Sequence, residues 1–151
     1  MAQTTLSPQE QQRLDELVDW ILGHYNFRRP PVPIEVVLRT PPKELASSVD
    51  ITDLSLAFGL GEHPYEYRMA IARLLYREVC RKDTPISKNL PYNSDAAHYF
   101  AASLLVPQKW LQKAARKPFA TLQHLSETFQ VPEYVMTTRL IRIGKHVRGM
   151  Q

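Results

Sequence analysis

The sequence predicts a mainly helical single domain that ends in a helix-turn-helix-like unit. Apolar residues recur at helical spacing in most segments, capping residues and prolines separate these segments, and only residues 49–56 alternate in part like a strand. The 151 residues suit one compact domain, and 44% hydrophobic residues can supply its core. We therefore predict one domain over residues 1–151, with its core over about residues 8–147.

The first helix is predicted over residues 8–25. Ser7, Pro8 and Glu10 supply an N-cap, a proline at the first helical position and an acid in the first turn. Apolar residues then follow at helical spacing, namely Leu14, Leu17, Val18, Ile21 and Leu22. One face of this helix is therefore expected to pack against the rest of the domain.

Prolines shape the next part of the chain. Pro30, Pro31 and Pro33 interrupt the helical pattern, and residues 34–38 predict a short helix that ends before Pro41. Residues 43–62 allow a short strand, a helical turn or an irregular loop.

A longer helix is predicted over residues 66–82. Its apolar stripe consists of Ile71, Leu74, Leu75 and Val79, and Arg73, Arg77 and Arg81 follow one another at four-residue steps on another face. Such a ridge is most often a solvated helix face. The alternative is that these three arginines bind an anion or an acidic partner.

The next helix begins within residues 91–95, which offer several N-caps. Pro107 either stops this helix or begins a short one that runs through Lys113. Residues 122–129 and 134–145 then predict two helices around a turn at Val131 and Pro132, an arrangement similar to a helix-turn-helix unit.

Basic residues concentrate in the C-terminal part of the chain. Residues 108–151 contain eight Lys or Arg and two Glu, a net charge of +6, whereas the whole chain carries +4. Such a segment can meet nucleic acid or an acidic partner. The candidate nucleic-acid contacts are Arg139, Arg142, Lys145 and Arg148.

The cellular compartment is inferred from three features. The single cysteine, Cys80, cannot form an internal disulfide. The N-terminus lacks the basic start and apolar run of a secretory signal, and no stretch is long enough to cross a membrane. We expect a cytoplasmic protein that has no membrane partner.

Two phrases of the sequence resemble those of the ImmA/IrrE metallopeptidase family. FAASLLVP at residues 100–107 is similar to the family phrase FAAxLLMP, and LSETFQVP with RLIRIG at residues 125–144 is similar to LAxxFxVSxxALxxRLxxLG. The resemblance covers about two thirds of the chain. It implies an α+β, zincin-like fold that is mainly helical, with a small or reduced sheet of two or three short strands at most within residues 43–62.

In this chain, the segment that corresponds to the zinc-binding helix of that family departs from the family pattern. The family reads R-F-x-x-A-H-E-x-x-H where residues 68–77 read RMAIARLLYR. Arg73 and Arg77 stand at the positions of the two zinc-binding histidines, and Leu74 stands at that of the glutamate that activates water. The third ligand, a glutamate, would fall near residues 94–96, where only Asp95 is acidic.

These replacements are incompatible with a zinc centre. A guanidinium stays protonated and offers no lone pair. At about 6 Å and an effective dielectric of about 20, a divalent ion and one arginine repel each other by about 5 kcal/mol. Leu74 cannot accept a proton from water. We therefore expect no catalytic residue, no metal and no cofactor.

The histidines show no ligand spacing, and capping, surface or core roles are expected for His24, His63, His98, His124 and His146.

Three functions follow from these observations. The first is a catalytically inactive, metallopeptidase-like domain that acts in protein interaction or regulation. The resemblance implies a partner in transcription or stress response. The alternative is nucleic-acid binding through the basic C-terminal segment, and the third is a hydrolase with an unrecognised site.

Overall fold

The computed structural model describes residues 6–47, 49 and 65–150, and this part of the chain is mainly helical. It contains seven α-helices, which are α1 (Pro8–Tyr25), α2 (Ile34–Arg39), α3 (Glu66–Arg81), α4 (Ser94–Leu105), α5 (Gln108–Ala115), α6 (Leu122–Phe129) and α7 (Glu133–Arg142). A 3₁₀ turn, Ser87–Asn89, lies between α3 and α4.

Local signals define the ends of α1 as the sequence predicts. The Ser7 hydroxyl accepts from the Glu10 N–H at 3.1 Å, and the Glu10 carboxylate accepts from the Ser7 N–H at 2.9 Å. This reciprocal pair is a capping box, which satisfies two backbone donors at the helix start. Asn26 ends the helix in the left-handed conformation, with φ of 57°. All five predicted apolar residues of α1 are buried.

The core is centred on the α3–α4 pair, with α1 packed against α4 and α2 against α3. Tyr76 of α3 and Phe100 of α4 are fully buried, and their ring centroids lie 5.0 Å apart. The Tyr76 hydroxyl donates to the carbonyl of Pro91. One cluster of buried apolar residues extends from Leu6 to Val147.

Arg68 is a buried cation near the start of α3, with 5% of its surface exposed. Its Nη2 donates to the Val32 carbonyl at 2.7 Å, and its Nε donates to the Gln130 carbonyl at 3.0 Å. These carbonyls belong to the segment before α2 and to the turn between α6 and α7. Arg68 thus connects three parts of the chain that lie far apart in sequence.

The two C-terminal helices pack against each other, as the helix-turn-helix-like pattern predicts. However, α7 ends at Arg142 rather than at Lys145. Gly144 adopts φ of 70°, and the Lys145 N–H donates to the Leu140 carbonyl at 2.9 Å. This geometry closes a helix end, and glycine adopts the required left-handed backbone without a Cβ clash. The predicted extension to Lys145 is therefore wrong.

The described residues contain no strand. Among them, one isolated parallel β-bridge joins Thr121 and Arg148. Most of the region in which short strands are predicted, residues 50–62, lies outside the described residues. The part of that region at residues 43–45 forms a turn. Within the described chain, no helix combines the length and apolar character needed to cross a membrane.

Candidate functional site

Arg73 occupies a polar contact between α3 and α7. Its Nη2 lies 3.9 Å from Oε1 of Glu66, two turns earlier on the same helix, and both side chains are about 35% exposed. The Tyr134 hydroxyl of α7 lies 2.9 Å from each oxygen of the same carboxylate and donates to it. Glu66 is therefore shared by a guanidinium on its own helix and a phenol from another.

His98 of α4 completes this group. Its ring is nearly parallel to that of Tyr134, with the centroids 6.4 Å apart and an angle of 15° between the planes. Burial lowers the pKa of His98, Arg73 lowers it further, and Glu66 and Asp95 act in the opposite direction. We call Glu66, Arg73, His98 and Tyr134 the Arg73 cluster.

The Arg73 cluster contains one of the two positions that the family resemblance assigns to zinc-binding histidines, but its side chains do not fit a zinc ion. Glu66 is engaged by a cation and a phenol, and the arginine offers no ligand atom. Nowhere in the described ranges do three His, Cys, Asp or Glu side chains converge as metal ligands. The cluster instead joins α3, α4 and α7 through hydrogen bonding and ring stacking.

His98 and Tyr134 were not among the site residues predicted from the sequence. His98 follows no ligand spacing, and Tyr134 lies 68 residues from Glu66. Glu66 contacts Arg73, whereas the charge of Asp95 opposes the lowering of the pKa of His98.

We expect His98 to make stability depend on pH. Its pKa in the folded state lies below its ordinary value of 6.5, so the unfolded state binds more protons as pH falls below about 6.5. The free energy of unfolding should therefore decrease from pH 7.5 to pH 5. His98→Gln should flatten this decrease in urea denaturation, and exposed His146→Gln should leave it unchanged. Identical pH profiles for wild type and His98→Gln would contradict the assignment.

The other predicted residues of α3 have different surroundings. Leu74 is half-buried and packs against the hydrophobic core. Arg77 and Arg81 have side chains that are 50% and 66% exposed, and both approach one carboxylate oxygen of Glu78, at 3.3 and 3.4 Å. The three arginines thus separate into one cluster member, Arg73, and an exposed pair.

The four candidate nucleic-acid contacts also differ in exposure and in their contacts. Arg139 is 4% exposed and donates Nε and Nη2 to the Val106 carbonyl, at 3.1 and 2.9 Å. Its placement on the buried face of α7 corrects its assignment as a nucleic-acid contact. Arg142 donates to Gln11 at 2.8 Å and lies over the Tyr99 ring. Lys145 and Arg148 are exposed.

Cys80 does not have the environment of a reactive thiol. It is half-buried, and burial raises the pKa of its thiol, while a hydrogen bond with Tyr76 opposes this shift. A raised thiol pKa keeps the sulfur protonated and weakly nucleophilic at neutral pH.

Comparison with known proteins adds no assignment to this geometry. No family model, curated protein or solved structure gives a significant match to the chain. The similarity to the ImmA/IrrE family therefore remains a prediction from the quoted phrases.

Proposed function

We propose that the chain is a zincin-like, ImmA/IrrE-type domain that has lost catalysis and acts as a regulatory protein-interaction domain. The ion pair between Arg73 and Glu66 carries this proposal. An arginine at the position of a zinc-binding histidine points to a carboxylate that also accepts from Tyr134. The position thus supports contacts between helices, and this favours a structural use of the former metal site.

The exposed pair Arg77 and Arg81 is the proposed contact surface. Two guanidinium groups share the single carboxylate of Glu78, so this edge of α3 keeps a net positive charge. Guanidinium groups recognise carboxylates through paired hydrogen bonds. The proposed partner therefore presents an acidic segment, and the family resemblance favours a protein of transcriptional control or stress response.

The first test concerns metal content. Protein purified without chelators is expected to contain far less than one zinc per chain, because Arg73 and Arg77 replace ligands with cations. Elemental analysis measures this directly, and a peptidase assay with added zinc measures activity. Close to one zinc per chain, or zinc-dependent cleavage, would overturn the proposal and favour the hydrolase alternative.

The second test concerns the partner. The wild-type chain and the Arg77→Glu/Arg81→Glu variant would be used as bait in cell extract treated with nuclease, with captured proteins identified by mass spectrometry. We expect a partner that survives nuclease and is lost with the charge-reversed variant. Lys113→Glu/Lys117→Glu, which reverses two exposed charges elsewhere, should retain it.

The same experiment separates the nucleic-acid alternative. Capture that disappears after nuclease treatment, or that depends on Lys113 and Lys117 instead of Arg77 and Arg81, would contradict the proposed surface. Arg139 is buried, whereas Arg142, Lys145 and Arg148 are exposed, and of these three Arg142 contacts Gln11 and the Tyr99 ring. So few exposed cations favour weak, salt-sensitive association over sequence reading.

A further inference from the structure

The connection between α5 and α6 presents a phenylalanine at the surface. Residues 117–120 form a turn in which the Ala120 N–H donates to the Lys117 carbonyl at 3.1 Å. Pro118 stands at the second position of this turn, where proline is favoured, and Phe119 stands at the third. Phe119 is 61% exposed, although its backbone belongs to a closed turn. The exposed ring is therefore a defined feature of the surface.

Two other parts of the chain lie beside this turn. The ring of His124, on α6, contacts the Phe119 ring with 5.6 Å between the centroids and 77° between the planes. The C-terminal segment forms a parallel bridge to Thr121, and the Leu122 N–H donates to the Arg148 carbonyl at 2.7 Å. The backbone of Arg148 thus lies next to a residue that follows Phe119 by two positions.

The charge around this turn is positive. Residues 96–126 contain four Lys or Arg and no Asp or Glu, and residues 134–151 also contain no Asp or Glu. The side chains of Arg116, Lys117 and Arg148 are exposed and form no ion pair within the described part of the chain. Glu127, the acid nearest to the turn in sequence, accepts a hydrogen bond from Gln123. One acid therefore stands against three unpaired cations.

This combination of cations and rings suits a polyanion that carries flat groups. Phosphates are attracted to lysine and arginine, and the bases of a single strand stack on exposed aromatic side chains. The bases of a duplex are already stacked and paired, so a ring on a surface turn cannot reach their faces. We call Arg116, Lys117, Phe119, His124 and Arg148 the α5–α6 surface.

We propose that the α5–α6 surface binds single-stranded nucleic acid without sequence preference. A base stacks on Phe119, and neighbouring phosphates meet Arg116, Lys117 and Arg148. Every base has a π-face and every nucleotide a phosphate, so these contacts do not distinguish one sequence from another. The site does not depend on the Arg73 cluster or on the protein partner proposed for Arg77 and Arg81.

An anionic membrane is another partner that combines negative charge with room for an apolar ring. Membrane binding by a surface segment increases with the apolar area that it buries. In this turn Phe119 is the one large apolar side chain, because Ala120 is small and buried. The neighbouring contact of Phe119 is the His124 ring, which is suited to stacking rather than to insertion among lipid chains. These observations favour nucleic acid.

The test titrates the full chain into labelled single strands of thymidine or uridine, each about 12 nucleotides long, and follows fluorescence anisotropy. Saturable binding of both strands is expected, with weaker binding of a duplex of the same length. If three phosphates are neutralised, the slope of log affinity against log salt between about 50 and 200 mM should be about −2. Arg116→Gln/Lys117→Gln should reduce the magnitude of this slope to about 0.7. Arg28→Gln/Arg29→Gln, an exposed pair elsewhere, should leave it unchanged.

Variants of Phe119 test the stacked base. Phe119→Ala should weaken binding of the thymidine strand about tenfold. Phe119→Leu should weaken it as much, because leucine is apolar but has no ring, and Phe119→Trp should retain the affinity. Tyr92→Ala removes a ring that is 63% exposed elsewhere on the surface, and it should leave binding unchanged.

A strand of abasic deoxyribose phosphates separates stacking from charge. The wild type should bind it about tenfold more weakly than the thymidine strand, and Phe119→Ala should cause no further loss. Vesicles of phosphatidylserine and phosphatidylcholine test the membrane. Equal affinity of the wild type for the abasic and thymidine strands, or equal affinity of Phe119→Ala and the wild type for the thymidine strand, would overturn the proposal. Phe119-dependent binding to vesicles without binding to either strand would also overturn it.

Discussion

Replacing Arg68 by methionine is expected to lower the free energy of unfolding by about 2–5 kcal/mol. The guanidinium donates to the carbonyls of Val32 and Gln130, and a methionine of similar length supplies no donor to either. Leaving a buried acceptor unsatisfied costs about 1–3 kcal/mol per group. Loss of a buried cation offsets part of this cost, since burial already lowers the pKa of Arg68.

The measurement is urea denaturation of the wild type and the variant, followed by circular dichroism. Arg81→Met is the matched control because its side chain is 66% exposed and contacts Glu78 at 3.4 Å, so the change should stay within about 0.5 kcal/mol. Equal losses in the two variants would show that the contacts of Arg68 contribute no more than those of a surface arginine.

The helix boundaries of this chain could be predicted where local chemistry defines them. Ser7 and Glu10 begin α1 with a capping box, and α6 has the predicted bounds, Leu122–Phe129. These signals act over three or four residues and need no tertiary partner. The predicted end of α7 was wrong because the apolar pattern continues to Ile143, while Gly144 closes the helix.

Arg139 shows that the charge of a residue is a poor guide to its exposure. Arg139 was grouped with exposed basic residues, yet it lies between Met136 and Leu140, both fully buried, on the inner face of α7. Helical spacing therefore contained the signal that it points inward. What the sequence could not supply was its acceptor, the Val106 carbonyl 33 residues away.

The Arg73 cluster could be predicted only in part. Arg73 and Glu66 lie seven residues apart on one face of α3, so spacing places both on the same ridge. His98 and Tyr134 reach the same place from α4 and α7, and their positions depend on how three helices pack. The expected loss of zinc ligands thus rests on sequence resemblance, while the polar contact that occupies the position follows from tertiary structure.

Phe100→Ala is expected to lower the free energy of unfolding by about 3–5 kcal/mol, the usual cost of removing a buried aromatic ring. Phe100 is fully buried on α4, and its ring faces that of Tyr76 on α3 at a centroid distance of 5.0 Å. The substitution leaves a cavity in the central helix pair and removes this ring contact.

Phe119→Ala provides the matched control for Phe100→Ala, because the same ring is removed from a side chain that is 61% exposed. Phe119 lies in the connection between α5 and α6 and has an edge contact with His124 at 5.6 Å. Its loss should change the free energy of unfolding by about 0.5 kcal/mol or less. Thermal and urea denaturation of both variants would measure the contrast. If Phe100→Ala lowered the free energy of unfolding by less than about 1 kcal/mol, α3 and α4 would not form the central packed pair. Removing a ring that is buried at such an interface costs more than this.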